Sequence, residues 1–565
     1  MSTTIIRFIR KNNKIFRKDF YEDSNCGWCR RRRDSSSPYQ KIDEQAQIIV
    51  FERSGYVSYA NCGLPYYIGD VITDPEALTL QTPESFFKRF RVTMKVHHEV
   101  TALHPERKTV SVKNLTTGEV FEESYDKLIL SPGAKPTQPK LPGIDMEKVF
   151  TLRTVEDTFR LKKYIETKKP TSAVLAGGGF IGLELAENLK DLGIDVTIVQ
   201  RPKQLMNPFD ADMASFIHNE MRKHGVKLLL GRTVEGFEEK DETIRVLLKD
   251  EQPLHADLVV LAIGVTPDTH LAKEAGLQLG IKDSIVVNDR METSIPDIYA
   301  AGDAVMVKHY VTGRDALISL AGPANKQGRI IADNICGGDS HYLGSQGSSV
   351  IKVFDLTAAT TGINETNARK AGLDVDTVIL SPMNHAGYYP GGKVMTMKVV
   401  FEKNTYRLLG AQIVGYEGVD KRIDVLSTAI HANLKATSLK DLDLAYAPPY
   451  SSAKDPVNMA GFMIDNIANG VLKQWHLSDL TSVLQDSNAT LLDVRTISEY
   501  EHSHIEGFKN IPVDELRDHL SEIEKDKPVY VICQSGLRSY IATRILSQNG
   551  YDAIILPEDF VFMKP

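Results

Sequence analysis

Cysteine is scarce in this chain: five in 565 residues. That excludes a disulfide scaffold and points to a reducing compartment, where an exposed cysteine has a chemical job. Long apolar runs are missing too. No stretch approaches 18 uninterrupted apolar residues, so a membrane-spanning helix is not expected. The opening MSTTIIRFIRKNNK has no sustained apolar segment of the signal-peptide kind. There is no solenoid repeat and no low-complexity tract. These absences lead to the expectation of a soluble, cytoplasmic protein without a membrane partner.

What is present is ordinary for a globular protein: 42% hydrophobic and 25% charged residues. At about 150 residues per domain, the length suggests three or four domains. The net charge of −7 conceals a split. Residues 1–41 carry eleven Lys/Arg against four Asp/Glu, or +7, whereas the rest carry 56 against 70, or −14. A basic arm on an acidic body suggests nucleic-acid binding, a targeting peptide or something else.

From Ala46 onward the pattern is α/β. Ala46 to Arg53 (AQIIVFER) is short, apolar and partly β-branched, and ends in Glu52 and Arg53. It predicts a buried parallel strand with an acid at its carboxyl end. A second unit is clearer: a strand at Ala173–Ala176, the turn Gly177-Gly178-Gly179-Phe180-Ile181-Gly182, a helix over Leu183–Leu192, and a strand at Val196–Val199 ending in Gln200 and Arg201. Further strands are expected at Asp257–Ala262 and at Ile298 onward, the latter closing on Gly302-Asp303. Residues 350–455 alternate strands (Lys398–Glu402, Leu408–Val414) with long polar helices. A linker around Gly470–Gln474 then leads to a last unit of ordinary small-domain size.

In Gly177-x-Gly179-x-x-Gly182 the glycines allow a tight turn and the close approach of a pyrophosphate, which sits on the helix amino terminus. The strand–turn–helix context favours dinucleotide binding over an ordinary glycine turn. The ribose-facing position holds Gln200 rather than an acid, beside Arg201, which leaves NADH and NADPH both open. Cys62, in Ser58-Tyr59-Ala60-Asn61-Cys62-Gly63, has two readings. A lone cysteine is usually a buried core thiol, but a helix beginning here would favour the reactive thiolate. Position 67 is Tyr, so the CxxxxC pair of dithiol reductases is absent, and any partner sulfur or oxygen comes from outside.

SYANCG, YDKLILSPGAKP (125–136), GGGFIG, TSIPDIYAAGDA (293–304) and LAGPANKQGR (320–329) together resemble the pyridine nucleotide–disulfide oxidoreductases. Over residues 42–465 the chain is most similar to the coenzyme A disulfide reductases and their persulfide- and polysulfide-reducing relatives. The resemblance implies FAD, with Glu52 and adjacent Arg53 at the adenosine ribose and Gly302-Asp303 at the ribityl–pyrophosphate region. It adds Gly264 to the cofactor-binding glycines. Ser58 and Asn61 would hold the coenzyme A end of a substrate. It also implies a homodimer in which tyrosines approach the partner's active cysteine, with Tyr388, Tyr389 and Tyr446 as candidates. Tyrosines beside Pro and Gly also serve as turn packing.

The last domain carries Leu492-Asp493-Val494-Arg495 and Val531-Ile532-Cys533-Gln534-Ser535-Gly536-Leu537-Arg538, then a helix over Tyr540–Gln548. A strand ending in a cysteine whose loop returns to a helix forms a nest of N–H groups that stabilises a thiolate or persulfide. This is similar to a rhodanese domain, with Cys533 as sulfur carrier and Arg538 at the substrate. Cys336 is read as a core or helix-end thiol. The implied fold class is α/β: two Rossmann-like FAD and NAD(P) domains (42–150 with 276–345, and 151–275), an α+β dimerisation domain (346–465) and an α/β rhodanese domain (474–565).

The family needs a strand and glycine loop for FAD just before Glu52, and residues 21–41 (YEDSNCGWCRRRRDSSSPYQK) contain none. Cys26-x-x-Cys29 is half a zinc site with no second pair nearby, and no metal is expected. The genetic code offers another reading. One base downstream, Tyr21-Glu22-Asp23 (TAY GAR GAY) yields Met or Thr, Lys or Arg, and Ile or Thr. Cys26-Gly27-Trp28-Cys29 (TGY GGN TGG TGY) yields Val or Ala, GNT, an obligatory GGT glycine, and Val or Ala. Four CGN arginines become codons within Gly, Ala, Val, Asp or Glu. The shifted text permits M-K-I-V-I-V-G-G-V-A-G-G-x-T-A-A-x-x-I-R-R, running into Ile42. At the far end, Pro557-Glu558-Asp559-Phe560 read one base earlier permits Ser-Gly-Gly-Phe, similar to a rhodanese terminus. The expectation is that 1–41 and the last nine or so residues are out of frame.

The leading expectation is therefore an FAD-dependent NAD(P)H reductase of coenzyme A disulfide, persulfide or polysulfide, with coenzyme A as substrate or bound thiol. The alternatives are an NADH oxidase or peroxidase in which Cys62 cycles through a sulfenic acid, and an inactive remnant lacking the FAD loop. Peroxidases similar to this family place a His in that loop. Position 30 shifts to GNC, which cannot encode His. A nucleic-acid-binding arm carries little weight.

Overall fold

The computed structural model describes the backbone of residues 7–10 and all of residues 44–557. Cys26, Cys29, the remainder of 1–41 and Glu558 to Pro565 lie outside the described residues. The chain divides into two compact units, Met1–Met206 with Met221–Gly347, and Asn207–Glu220 with Ser348–Pro565. Among the described residues no helix is long and apolar enough to cross a membrane.

The first unit holds the dinucleotide fold. Five strands lie side by side in the order Val149–Thr151, Leu258–Leu261, Ser172–Ala176, Asp195–Gln200, Lys227–Leu230, every pairing parallel. The central strands are continuous apolar runs because both faces are covered: Val174, Ala176, Val199 and Val259 pack on the antiparallel strands Val234–Lys240, Thr243–Leu248 and Leu254–Ala256, and the helix Phe180–Asp191 also packs on Ser172–Ala176 and Asp195–Gln200. The helix after the glycine turn spans Phe180–Asp191 and buries Leu183, Leu185, Ala186 and Leu189. It begins three residues before the expected Leu183, since Gly182 adopts helical geometry instead of remaining in the loop.

A second group of strands in this unit pairs Gln47–Phe51 with Val92–Lys95 and Leu128–Leu130 with Ile298–Ala300, both in parallel. Within the basic amino-terminal segment, Arg7–Arg10 pairs with Gln47–Phe51, with Arg7 opposite Val50 and Arg10 opposite Gln47. That pairing is antiparallel, and the segment also lies alongside Leu128–Leu130.

The second unit has two sheets. The first is antiparallel, in the order Ser349–Val353, Leu356–Gly362, Leu408–Gly415, Thr396–Glu402, Val375–Leu380. The long polar helices expected here are instead the six-residue Glu365–Lys370 and the thirteen-residue Val419–His431. The latter buries Val419, Ile423, Leu426 and Ile430 against the sheet, so its polar residues other than the buried Arg422 form an outer stripe. The second sheet is parallel, in the order Lys473–Gln474, Ala553–Ile555, Val529–Ile532, Thr490–Asp493, Lys509–Asn510. Its helix spans Leu537–Gln548, three residues longer at the start than expected.

Candidate active site

Cys62 sits in a 3-10 turn, Asn61–Gly63, directly before a five-residue helix, Leu64–Ile68, with Pro65 in its first turn. The thiol is part-exposed and not in a disulfide. This segment has almost no helix of its own to hold it, so its position comes from its neighbours. Lys162, on the helix Val155–Lys168, is buried and donates from Nζ to the Ile68 carbonyl at 3.1 Å and to Asp70 at 2.6 Å. A cation at the carboxyl end of a helix satisfies terminal carbonyls and its dipole. Gly69 lets the turn press onto Asn188: a Cβ there would lie 2.0 Å from the Asn188 Oδ1. Tyr66 is pushed up to about 12, first by burial and then by Glu184, Glu187 and Cys62. Glu184, Glu187 and Asn188 all belong to Phe180–Asp191. The helix launched by the glycine turn thus forms the bed of the cysteine segment. Lys162 had no signal in the sequence beyond a lysine in a helical stretch.

The glycine turn divides its labour. Gly177 has φ of +116°, and a Cβ would lie 2.3 Å from the Ala262 carbonyl oxygen. A Cβ on Gly182 would lie 2.1 Å from the Gly177 carbonyl oxygen. Gly179 faces open space instead, with nothing within 4 Å, and precedes the first helical residue. Two glycines serve packing and one leaves room for a pyrophosphate at the helix amino terminus. Gln200 is buried and accepts from the Gly178 N–H at 3.0 Å, while Arg201 is exposed. Gly264, with φ of +101°, follows the neighbouring strand Leu258–Leu261, and its carbonyl accepts from Thr137 N.

At the other strand group, Glu52 follows Phe51, is buried, and accepts from Ser54 N at 2.7 Å. Burial raises its carboxyl to about 7. Arg53 donates to Glu99 at 3.1 Å. Gly302, with φ of +83°, donates its N–H to Gln327 at 2.8 Å. Asp303 accepts from Arg153 at 2.7 Å, a partner the sequence reading missed. Ser58 is buried. Buried polar atoms without a hydrogen-bond partner include Asn61 Oδ1, Ser131 Oγ, Arg153 Nε and Asn325 Oδ1. Buried polar groups are normally paired. Four unpaired ones around Cys62 and the strand ends suit a polar ligand of FAD's kind on the flavin and ribose side. The pyrophosphate side does not fit, because among the described residues no glycine loop leads from a strand into a helix there.

In the second unit, the Tyr388 and Tyr446 hydroxyls meet at 2.9 Å, both side chains exposed. The Tyr388 hydrogen bond holds the Tyr446 phenol above its usual value. Tyr389 turns away, edge-on to His385. The two tyrosine-bearing loops are tied by Arg422, which is 1% exposed. It donates to the Asn384 carbonyl, the Tyr450 carbonyl, Ser451 and Asp455. Cys533 is buried at the end of Val529–Ile532. Its sulfur accepts from Gly536 N at 3.1 Å, and its thiol donates to Ser539 at 3.2 Å. Gly536 has φ of +90°, which turns the loop back under the sulfur. Arg538 grips Glu499 through both guanidinium nitrogens at 2.6 and 2.8 Å and lowers its carboxyl to about 2. Cys336 caps the helix Ala321–Ile335 and packs on the core.

Residues 39–328 match the family model described as pyridine nucleotide-disulphide oxidoreductase. Residues 348–456 match its dimerisation domain, and residues 476–561 match a rhodanese-like domain. A coenzyme A disulfide reductase of Staphylococcus aureus (strain JH9) is 36% identical over 428 residues, covering 76% of this chain and 96% of that one. The crystal structure of reduced Bacillus anthracis CoADR-RHD is 46% identical, with a TM-score of 0.91 over 93% of this chain and 94% of that one. An NAD-dependent persulfide reductase from A. fulgidus is 37% identical, with a TM-score of 0.87 over 94% and 97%.

Proposed function

The chain belongs to the pyridine nucleotide-disulphide oxidoreductase family, with a rhodanese-like domain after its dimerisation domain. From that premise we propose that it uses NAD(P)H to reduce coenzyme A disulfide or a coenzyme A persulfide through Cys62. The family is FAD- and NAD(P)H-dependent. The observation carrying the proposal is the seat of Cys62. It is a single cysteine, with Tyr67 where a dithiol reductase has its second, bedded on the helix that starts at the nucleotide-binding turn.

The Cys62 thiolate attacks one sulfur of coenzyme A disulfide, forming a Cys62–coenzyme A mixed disulfide and expelling one coenzyme A thiolate. Two electrons from NAD(P)H and protons from solvent then free the second thiol and restore Cys62. The balance is NAD(P)H, one proton and one disulfide to NAD(P)+ and two thiols. With a persulfide, the outer sulfur leaves as sulfide. Ser58 and Asn61 flank the cysteine and would orient the incoming pantetheine end. Tyr388 and Tyr446 would meet Cys62 of the partner subunit in a homodimer, where a hydroxyl pair can give a proton to a leaving thiolate. Cys533 would receive or deliver sulfane sulfur, with the Gly536 N–H stabilising the charged sulfur.

The test is NAD(P)H oxidation, measured per bound flavin, by FAD-supplied full-length protein with coenzyme A disulfide and, separately, coenzyme A persulfide. Cys62→Ser is expected to abolish both. Undiminished turnover in that variant would sink the assignment.

A further inference from the structure

The pyrophosphate side of the FAD site is a place where family and chain disagree. We infer that residues 21–41 are read one base out of register, and that the missing cradle is encoded there in the adjacent frame. The inference rests on the flavin dependence of the family and not on the choice of sulfur substrate.

Glu52 follows Phe51, Ser131 follows Leu130, and Gly302-Asp303 follow Ile298–Ala300. These are carboxyl ends of parallel strands, where a Rossmann sheet binds its nucleotide. The place between Gln47–Phe51 and Leu128–Leu130 belongs to the strand whose carboxyl end would supply the loop. It is taken by Arg7–Arg10 in the antiparallel sense. Its amino end, Arg7 opposite Val50, is therefore the end nearest Glu52. A strand running that way cannot lead into a helix whose amino terminus meets a phosphate at this edge. Composition agrees: from Met1 to Ser54 the chain has one glycine, Gly27.

The chain also carries its own ruler. In the nicotinamide unit the strand Ser172–Ala176 runs straight into Gly177, Gly182 follows five positions later, and the ribose position, Gln200, is 23 positions after Gly177. In the shifted frame, codons 21–26 permit an apolar strand. Glycine is permitted at 27, obligatory at 28, and permitted at 31 and 32. The span from 27 to 32 is again five, and Glu52 stands 25 positions after 27. An acid about 20 residues beyond the glycine motif is what the fold requires. The obligatory glycine is the least adjustable point, because Trp28 has a single codon, TGG, and Cys29 begins with T. Lys41-Ile42 (AAR ATH) is adenine-rich, and one base gained or lost there joins the shifted text to Ile42.

Two measurements test this. The first is the nucleotide sequence of the locus: codons that do not yield glycine at 27, 31 and 32 in the second frame overturn the inference outright. In the second, the full chain as written and a full chain carrying the shifted translation of 21–41 are purified in parallel and supplied with FAD. Bound flavin is read from visible absorbance, and NAD(P)H binding at Gly177–Gly182 reports that the first unit is folded. The shifted-frame chain is expected to retain at least about tenfold more flavin than the chain as written. Stoichiometric flavin in the chain as written overturns the inference, as does a shifted-frame chain that binds NAD(P)H but no flavin. A flavin-loaded shifted-frame chain without turnover on coenzyme A disulfide or persulfide leaves this inference standing and removes the proposed function instead.

Discussion

Glu52 is an acid placed where ionisation is costly. Its unfolded value is near 4.5 and its folded value about 7, the cause being burial. Between those values the folded state binds the extra proton, so stability declines as pH rises from 4.5 to 7 and levels off above. At ~1.4 kcal/mol per pH unit the whole decline is about 3 kcal/mol. Thermal unfolding across pH 4.5 to 8 should show it, and Glu52→Gln should flatten the slope in that window. Arg201 poses a different question. With a neutral Gln200 turned onto Gly178 and Arg201 exposed beside it, the edge lacks the carboxylate that favours a free ribose hydroxyl. It has instead a cation suited to a 2′-phosphate. Arg201→Ala should raise KM for NADPH by about tenfold, in line with the loss of a charge-assisted contact, with KM for NADH unchanged. Equal effects on both cofactors would show that Arg201 does not read the phosphate. Residues of this kind are legible because they stand at fixed offsets from a strand end. Arg153 and Lys162 are not, since their partners Asp303 and Ile68 lie far off in sequence.

At the level of elements, the glycine turn separates folding from binding. Gly182→Ala drives a methyl against a carbonyl oxygen that no side-chain rotation can relieve. It should cost about 1–3 kcal/mol and lower the melting temperature. Gly179→Ala meets nothing in the protein, so stability should hold while NAD(P)H affinity falls, as titration of nucleotide fluorescence would show. The two tyrosine loops rest on another kind of support. Arg422→Met leaves buried Asp455 without its nearest cation, with only Lys421 remaining at 3.9 Å, a loss of about 3 kcal/mol. Denaturant unfolding of Arg422→Met beside an Arg422→Met, Asp455→Asn pair should show partial recovery in the double variant. The motif around Tyr446 was readable, but its pairing with Tyr388 was not. That contact spans 58 positions and depends on a buried arginine within a helix whose outer stripe is polar.

For the molecule as a whole, the proposal separates reduction from sulfur carriage. Cys533→Ser should leave NAD(P)H oxidation with coenzyme A disulfide unchanged and abolish sulfane sulfur transfer to a thiol acceptor. Loss of both activities would mean that the rhodanese-like domain takes part in the reduction itself. The charge split belongs at this scale too. The +7 of residues 1–41 includes four consecutive arginines, Arg30 to Arg33, whose codons in the next frame fall among Gly, Ala, Val, Asp and Glu.

The order of domains, the glycine turn between strand and helix, and the loops that carry Cys62 and Cys533 were readable from the sequence alone. Each is a local pattern whose physics acts within about 25 residues, such as a glycine that must let a phosphate approach or an acid at a strand end. Only the tertiary structure decided what supports those patterns: Lys162 under the Cys62 segment, Arg153 on Asp303, Arg422 between the tyrosine loops, Arg538 on Glu499. It also showed which way Arg7–Arg10 runs. Strand direction and the partner of a buried charge are set by residues distant along the chain, so no local pattern records them.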